Sequence, residues 1–316
     1  MASECRVCGA PDLGSAITAR ETMFGTGETF VYRQCRVCGC LQIVEPPERM
    51  DRFYQPTYYS FGSGPSSPVR KIKTITRAVL ALYGPAWLFS RQQWWTGGAM
   101  RAVRDGRITR ADRILDLGCG SGEFIANLGD VGYRRVLGAD PFIDEDIIHP
   151  NGVRVLKRAA HEIDDIFDVL MMHHSLEHVG DQKRIVIDVA RLLAPEGRCV
   201  IRIPTIDSWA WGEYGLDWAQ LDAPRHFFLH TRASIRTLLE SAGLRVTAII
   251  DDSTSFQILG SEKIRRGYPL IDASQGKPLF AEFLPPSLIR SAARRARVLN
   301  AAGRGDSIAV HARKVA

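Results

Sequence analysis

The stretch ILDLGCGSGEF at residues 114–124 decides the fold. An apolar run ends shortly after Asp116 and passes into three closely spaced glycines, Gly118, Gly120 and Gly122, after which the chain becomes helix-forming. A strand that turns into a helix through glycines brings backbone amides, at the positive end of the helix dipole, close to a ligand. A glycine-rich turn by itself fits several nucleotide-binding folds.

Apolar runs of strand length alternate with helix-forming stretches from this turn onwards. This alternation predicts an α/β protein with a doubly wound, mostly parallel sheet of seven strands. The seven runs are RILDLG (113–118), RRVLGAD (134–140), VRVL (153–156), DVLMMH (168–173), GRCVIRIP (197–204), LRVTAII (244–250) and SIAVHA (307–312).

Two details of the sequence narrow the class of ligand. The glycines are not followed by the Lys-Ser/Thr pair of a P-loop, and their GxGxG spacing differs from the GxGxxG of nicotinamide dehydrogenases. Asp140 ends the next predicted strand. Because ligands of open sheets lie at the carboxyl ends of the strands, we expect Asp140 to accept hydrogen bonds from the hydroxyls of a ribose.

The motifs LDLGCGSG (115–122) and GADP (138–141) resemble those of the class I S-adenosylmethionine-dependent methyltransferases. The resemblance covers about 110–250 and the final strand, and it implies a Rossmann-like sheet with S-adenosylmethionine as cofactor. It also implies that Phe142 lies near the adenine. The implied cofactor-binding residues are Asp116, Gly118, Cys119, Gly120, Gly122, Asp140, Pro141, Phe142 and His173.

Two CxxCG units stand within the first forty residues and are separated by the strand-like run TFVYRQC. The two-residue gap lets both thiolates of a unit face one ion, and glycine permits the turn that follows. We therefore predict a zinc ribbon over 1–50 with structural Zn²⁺. Cys40 could replace one ligand, and free thiols or disulfides are the alternatives. The predicted ligands are Cys5, Cys8, Cys35 and Cys38.

Two histidine-bearing segments follow the fourth and fifth predicted strands, HHSLEHV (173–179) and WAQLDAPRHFFLHT (218–231). A methyl-accepting hydroxyl or carbon acid benefits from a base with a pKa near neutrality, and histidine is the commonest one. For the first segment, the alternatives are a capped helix start with incidental histidines and a second metal held by His174, Glu177 and His178. For the second segment, the alternative is a surface loop. The candidate catalytic residues are His174, Glu177, His178, Arg225 and His226, and Asp222 is a candidate for acceptor binding.

The zinc domain, the glycine motif and the two histidine positions together resemble the deoxysugar C-methyltransferases, whose histidines map onto His178 and His226. That family has Glu before the second histidine and a Tyr nearby, where this chain has Arg225 and Ala223. On the motifs YYSF, HSLEHV, LDAPRHF and DSTSFQ, the chain is more similar to methyltransferases found with polysaccharide-synthesis enzymes. This resemblance implies a role in polysaccharide biosynthesis.

An insertion of about 50 residues separates the last two predicted strands, which is too long for an idle loop. We expect it to close the acceptor site together with Tyr58 and Tyr59. The expected organisation is a zinc ribbon at 1–50, a linker and helical lid at 51–108, the methyltransferase core at 109–252, the insertion and acceptor cover at 253–305, and the final strand and tail at 306–316.

The net charge of +6 is unevenly distributed: residues 69–113 carry ten basic and two acidic side chains, and residues 284–316 carry seven and one. These segments indicate an anionic neighbour, such as a phosphate-bearing substrate, nucleic acid or a membrane surface, or else a solvated arginine-rich surface. The polar start and the absence of a long apolar run predict a cytoplasmic protein without a transmembrane segment.

Three functions are compatible with these patterns. The first is methyl transfer to a sugar or glycan-related small molecule by an SN2 displacement with a histidine base. The second is RNA methylation with a zinc ribbon, because tryptophans interleaved with arginines would suit stacking on bases, although no RNA-binding motif is present. The third is a non-catalytic scaffold that binds the cofactor.

Overall fold

The computed structural model describes residues 4–54, 68–84, 95–271 and 280–315. Its strands are β1 (Leu13–Arg20), β2 (Thr29–Cys35), β3 (Leu41–Ile43), β4 (Ile114–Leu117), β5 (Val136–Ala139), β6 (Ile147–Ile148), β7 (Arg154–Leu156), β8 (Phe167–His173), β9 (Leu193–Pro204), β10 (Phe228–Leu229), β11 (Leu244–Asp251) and β12 (Ser307–Lys314). Its α-helices are α1 (Pro68–Tyr83), α2 (Trp95–Asp105), α3 (Glu123–Asp130), α4 (Gln182–Leu192), α5 (Trp209–Tyr214), α6 (Arg232–Glu240), α7 (Phe256–Arg265) and α8 (Pro286–Ala301).

The central sheet has the strand order β11-β12-β9-β8-β4-β5-β7-β6. Strands β7, β5, β4, β8 and β9 are parallel, whereas β12 runs antiparallel to both of its neighbours. The predicted α/β fold with a mostly parallel sheet is confirmed. The sheet has eight strands where seven were predicted, because the two-residue strand β6 pairs antiparallel with β7 and forms the edge of the sheet. So short a strand carries no periodicity that a sequence could reveal.

Successive residues of the central strands pack on opposite faces of the sheet, as the two-residue repeat of a strand requires. Ile114 and Val200 belong to one buried cluster, and their neighbours Leu115 and Ile201 belong to the other. Helices α4 and α6 cover the face of Leu115, and α1, α2 and α3 cover the face of Ile114. Burying each such aliphatic side chain contributes about 1.5–3 kcal/mol.

The described helices of 51–108 differ from the predicted lid. Leu82 of α1 and Val103 of α2 are buried in the same cluster as Ile114 of the sheet. These helices are therefore part of the helical layer that covers the sheet. The apolar faces of α1 and α2 bring them there, and loop-like composition on either side obscured this in the sequence.

The N-terminal ribbon, residues 4–50 of the structure, is not a separate module. Its strands β1, β2 and β3 form an antiparallel sheet whose fourth strand is β10, and Phe228 and Leu229 of β10 pair with Gln42 and Leu41. Strand β10 lies within the second histidine-bearing segment, residues 218–231. The ribbon and that segment therefore share one sheet.

The insertion between β11 and β12 contains the helices α7 and α8. Ile264 and Leu270 pack with Met23 of the ribbon, and the backbone N–H groups of Leu270 and Ile271 donate to the carbonyl oxygens of Thr22 and Met23 at 2.9 Å. The insertion thus rests on the ribbon. Its role as an acceptor cover stays a prediction.

The arginines of the C-terminal basic segment include Arg290, Arg294 and Arg295, which are exposed on α8. An anionic partner for this surface stays a prediction. Within the ranges that the structure describes, no helix combines the length and apolar character needed to cross a membrane.

Candidate functional site

The glycine turn lies between the end of β4 and the start of α3, at the carboxyl edge of the sheet. Gly118 and Gly122 have φ of +70° and +76°, and a Cβ on Gly118 would lie 2.6 Å from the Cβ of Ser175. A Cβ on Gly122 would collide with Val155. Only glycine fits at these two positions, so the backbone of the turn can approach a ligand closely.

Asp140 lies against this turn, as predicted, and its carboxylate is held by backbone amides. Oδ2 accepts a hydrogen bond from the N–H of Gly120 at 2.8 Å, and Oδ1 accepts one from Phe142 at 2.9 Å. A carboxylate can accept about four hydrogen bonds, so Asp140 can still accept hydrogen bonds from ribose hydroxyls. Burial raises the pKa of Asp140 even though these two hydrogen bonds lower it.

Asp116 is the buried acid beneath the turn. It is 2% exposed, and its Oδ1 has no hydrogen-bond partner among the described residues. Burial, and then the negative charge of Asp140, raise its pKa well above the ordinary value. A positively charged ligand would relieve both effects. The site therefore fits S-adenosylmethionine, which carries ribose hydroxyls, an ammonium group and a sulfonium.

The remaining predicted cofactor residues surround the same turn. Pro141 and Phe142 are exposed beside Asp140, and Phe142 exposes 81% of its surface, as a residue free to stack on a ligand would. The sulfur of Cys119 packs next to Gly138. The ring of His173 lies edge-on to Phe124, with 4.6 Å between centroids. Burial lowers the pKa of His173 well below its ordinary value, so this imidazole is neutral.

The two histidine segments, separated by about 40 residues in sequence, meet beside the turn. The N–H of Phe227 donates to the carbonyl of Glu177 at 2.8 Å, and the rings of His178 and His226 lie 4.8 Å apart between centroids. Ser175, in the same loop as Glu177, donates its hydroxyl to the carbonyl of Leu117 at 3.0 Å. One loop therefore joins the end of β4 to the histidine pair.

The orientation of both histidines follows from their carbonyl partners. Nδ1 of His226 is 2.7 Å from the carbonyl oxygen of Gln220, and Nδ1 of His178 is 2.8 Å from that of Arg225. A carbonyl oxygen only accepts, so Nδ1 carries the hydrogen in each ring and Nε2 keeps its lone pair. Nε2 of His226 also lies 3.8 Å from Oδ2 of Asp222.

The two histidines differ in their suitability as a base. Burial, and then the proximity of His226, lower the pKa of His178 to about 4. An imidazole with so low a pKa takes up a proton poorly at neutral pH, where a base works best with a pKa near the ambient pH. This lowered pKa makes His178 a poor proton acceptor at neutral pH.

Acid should destabilise the fold through His178. Its folded pKa of about 4 lies below the unfolded value of about 6.5, so its contribution to stability is complete above about pH 6.5 and is lost as the pH falls towards 4. The free energy of unfolding should fall between pH 7 and pH 4.5 in both proteins. We expect this fall to be about 2 kcal/mol smaller in His178→Gln than in the native chain. Urea unfolding at the two pH values measures this. The exposed His161→Gln is the control, and an unchanged pH dependence in His178→Gln would contradict the assignment.

Glu177 is fully buried and lies 3.3 Å from Nδ1 of His174. Burial alone would raise its pKa, but His174 and then His178 and His226 lower it to about 2, so the carboxylate is ionised. Ligand atoms of Glu177, His178 and His226 lie within 4.8 Å of one another, a set that could hold a metal ion. The predicted second metal site consisted of His174, Glu177 and His178. In the structure, His226 stands in this set in place of His174.

The placement of Arg225 differs from its predicted catalytic role. Its side chain is fully buried, its Nη2 lies 2.8 Å from Glu21 and 2.5 Å from Asp222, and its Nη1 donates to the carbonyl of Phe53 at 3.1 Å. Burial alone would raise the pKa of Asp222, but Arg225 lowers it below the ordinary value. Both residues are thus engaged within the protein, and a role of Asp222 in acceptor binding stays a prediction.

A cleft of about 360 Å³, partly open solvent, is lined mostly by polar residues, among them His174 of the first histidine segment and Gln220 of the second. Arg202 donates to Asp252 inside it at 2.5 Å, and Oε1 of the buried Gln257 has no described partner. Sequence reasoning missed these residues as site residues, although Asp252 and Gln257 stand in the DSTSFQ motif region. Tyr58 and Tyr59 lie outside the described residues. The cleft is lined by His174, Arg202, Gln220, Asp252, Thr254, Phe256, Gln257, Asp306 and Ser307.

The four predicted zinc ligands converge in the ribbon. The sulfurs of Cys5 and Cys38 are 3.6 Å apart, those of Cys8 and Cys35 are 3.7 Å apart, and all four fall within 4.8 Å. A tetrahedral zinc with Zn–S bonds of about 2.3 Å places its sulfurs about 3.8 Å apart. The geometry therefore fits the ion. Cys40 is buried outside this group, where its thiol donates to the carbonyl of Leu41.

Residues 92–249 match the family model described as the methyltransferase domain, which is half of the chain. The chain is also 30% identical over 154 residues to the ubiquinone biosynthesis O-methyltransferase of Maricaulis maris (strain MCS10). That match covers 43% of this chain and 60% of the relative. The chain thus spans less than two thirds of the relative's length.

Two solved structures show similarity at low identity. The S-adenosylmethionine dependent methyltransferase from Mesorhizobium loti has 18% identity and a TM-score of 0.43, with 69% of this chain and 98% of that chain covered. The Burkholderia thailandensis 1,6-didemethyltoxoflavin-N1-methyltransferase, with bound 1,6-didemethyltoxoflavin and S-adenosylhomocysteine, has 14% identity and a TM-score of 0.42, with 81% and 94% covered. Because the family model matches half of the chain and spans the glycine turn, Asp140 and both histidine segments, the chain belongs to the methyltransferase domain family.

Proposed function

We propose that this methyltransferase acts on a hydroxyl group of a sugar or glycan-related small molecule, with His226 as the general base. The observation that carries the proposal is the orientation of His226, whose Nδ1 faces the carbonyl oxygen of Gln220 and whose Nε2 lies 3.8 Å from Oδ2 of Asp222. The relative named above is an O-methyltransferase, which supports a hydroxyl acceptor. The resemblance to methyltransferases of polysaccharide synthesis supports a carbohydrate.

The lining of the cleft supports a hydroxyl-rich acceptor. Gln220 and Gln257 offer amide groups, and Arg202 and Asp252 offer a buried ion pair. Buried polar groups of this kind need hydrogen-bond partners, and a sugar supplies donors and acceptors in closely spaced pairs. A phosphate-linked sugar would in addition place its charge near arginines, for which the exposed arginines of α8 are candidates.

The chemistry divides between the two parts of the site. S-adenosylmethionine, when bound, supplies a methyl group on a positively charged sulfur. Asp116 and the backbone of the glycine turn would hold its amino-acid part, and Asp140 its ribose. Nε2 of His226 takes the proton of the acceptor hydroxyl, and Asp222 stabilises the imidazolium that results. A positioned base contributes about 10²–10⁴-fold to the rate, and alignment of the reactants contributes up to about 7–11 kcal/mol.

Incubation of zinc-loaded protein with methyl-labelled S-adenosylmethionine and a panel of acceptors tests this function. The panel contains nucleotide-linked hexoses, oligosaccharides and a structured RNA. We expect label in the carbohydrate fraction and none in RNA. Label in RNA alone would support the zinc-ribbon RNA methyltransferase instead. Cofactor binding without transfer to any acceptor would support the scaffold alternative.

Metal analysis separates the histidine base from a second metal site. We expect about one zinc per chain, because a four-cysteine site binds one ion and leaves no open position. His226→Asn should keep this ion, since it leaves all four thiolates in place. Two equivalents of metal, one of which is lost in His226→Asn, would show that Glu177, His178 and His226 hold an ion. That result would remove His226 as the base.

A further inference from the structure

Glu21 belongs to the ribbon, but its carboxylate lies against the segment that carries His226. The side chain is fully buried, and its oxygens accept hydrogen bonds from the backbone N–H groups of Phe24 and Thr26, each at 3.0 Å. Its Oε1 lies 2.8 Å from Nη2 of Arg225. A carboxylate held by two amides and one guanidinium has a single orientation. Glu21 is therefore a fixed anchor.

Arg225 connects Glu21 to the segment that carries Asp222 and His226. Its guanidinium bridges the carboxylates of Glu21 and Asp222, so two negative charges and one positive charge are buried together. Asp222 has a φ of +38°, which side-chain-bearing residues rarely adopt. The ion pair with Arg225 offsets the cost of that backbone conformation.

The same residues hold both histidines. The carbonyl of Asp222 accepts a hydrogen bond from the N–H of His226 at 3.2 Å, and the carbonyl of Arg225 accepts one from Nδ1 of His178 at 2.8 Å. The ribbon adds a second contact, because the hydroxyl of Tyr32 donates to the carbonyl of His226 at 2.9 Å. The ribbon thus contacts the segment on either side of the imidazole that would serve as base.

We propose that Glu21 is a positioning residue for methyl transfer, which acts through Arg225 to fix the imidazole of His226. The step that it serves rests on the function proposed above. The carboxylate of Glu21 accepts hydrogen bonds from backbone amides of the ribbon and from Arg225, so its role is to orient Arg225. The zinc ribbon is thereby part of the acceptor site, although the thiolates themselves take no part in the chemistry.

Two variants of Glu21 and one control test this role. Glu21→Gln keeps the shape and an amide oxygen for the backbone donors, and it leaves Arg225 balanced by Asp222, so no unpaired charge is buried. Glu21→Ala removes the anchor entirely. Arg20→Ala is the control, because Arg20 also pairs ribbon with core, through Asp217 at 2.8 Å, but at the surface.

The first measurement is the long-range ¹H–¹⁵N imidazole spectrum of each protein saturated with S-adenosylhomocysteine, with the His226 signal assigned from His226→Asn. We expect the native chain and Arg20→Ala to show His226 with hydrogen on Nδ1 alone. Glu21→Ala should show mixed tautomers and Glu21→Gln a smaller change. Affinity for S-adenosylhomocysteine should stay within about twofold throughout, because the glycine turn is separate from the ribbon.

The second measurement is kcat with a carbohydrate acceptor from the panel above. We expect a loss of about 10–100-fold in Glu21→Ala, partial recovery in Glu21→Gln and no change in Arg20→Ala. An unaltered His226 spectrum in both Glu21 variants, or equal effects in Arg20→Ala, would overturn the proposal. If Glu21→Ala does not fold, the His226 spectrum and the kcat of Glu21→Gln decide whether Glu21 has this positioning role. Should the native chain transfer no methyl group, the proposed function fails while the imidazole spectra still decide the role of Glu21.

Discussion

His226→Asn is expected to lower kcat by about 10²–10⁴-fold, the usual contribution of a positioned base. The asparagine amide can still donate to the carbonyl that Nδ1 of His226 faces, but it cannot take up a proton. Affinity for S-adenosylhomocysteine should hardly change, because the cofactor residues around Asp140 do not contact this imidazole. Steady-state kinetics with the carbohydrate acceptor and calorimetry with S-adenosylhomocysteine measure the two quantities.

His178→Asn is the matched variant. The imidazole of His178 has the same orientation, but its pKa of about 4 makes it a poor base at neutral pH. We expect a loss below about tenfold. A larger loss in His178→Asn than in His226→Asn would exchange their roles. Equal losses of turnover and cofactor affinity in His226→Asn would give His226 a structural role.

Cys8→Ser is expected to abolish zinc binding and, with it, methyl transfer. Structural zinc contributes about 10–16 kcal/mol to the folding of small zinc peptides, so a ribbon without its ion should lose its structure. Glu21 and Tyr32 would then no longer hold the segment around His226. Cofactor binding should persist, because the buried cluster on the face of the sheet that carries Ile114 contains no ribbon residue.

Cys40→Ala is the control for this variant, because Cys40 is fully buried in the same ribbon but lies outside the four-sulfur group. It should keep one zinc and most of the activity. Metal analysis, circular dichroism and labelled methyl transfer follow the three properties. Full activity of Cys8→Ser without zinc would contradict the link between ribbon and acceptor site.

The features that could be predicted from the sequence are those that depend on residues close together in the chain. Gly118, Gly122 and Asp140 could be predicted because a strand, a tight turn and a helix occupy consecutive residues, and the conformation of the turn requires glycine. The cysteine ligands could be predicted for the same reason, since each pair sits within one knuckle. Their convergence to within 4.8 Å agrees with that prediction.

The parts that the sequence did not reveal depend on contacts between distant residues. Glu21 and Arg225 are 204 residues apart, and nothing in the neighbourhood of either indicates the other. The sequence predicts catalysis for Arg225 because loops carry functional residues more often than other segments, whereas its burial against Glu21 and Asp222 gives it a structural role. The packing of α1 and α2 on the sheet likewise depends on tertiary contacts.

The central claim is that S-adenosylmethionine binds across the end of β4 with its ribose on Asp140. Calorimetric titration of S-adenosylhomocysteine into the zinc-loaded native chain and into Asp140→Ala tests it most directly. We predict one molecule bound per native chain and at least about a 30-fold weaker affinity in the variant, as expected for the loss of hydrogen bonds to a charged group. Absence of binding to the native chain, or equal affinity in both proteins, would contradict the claim.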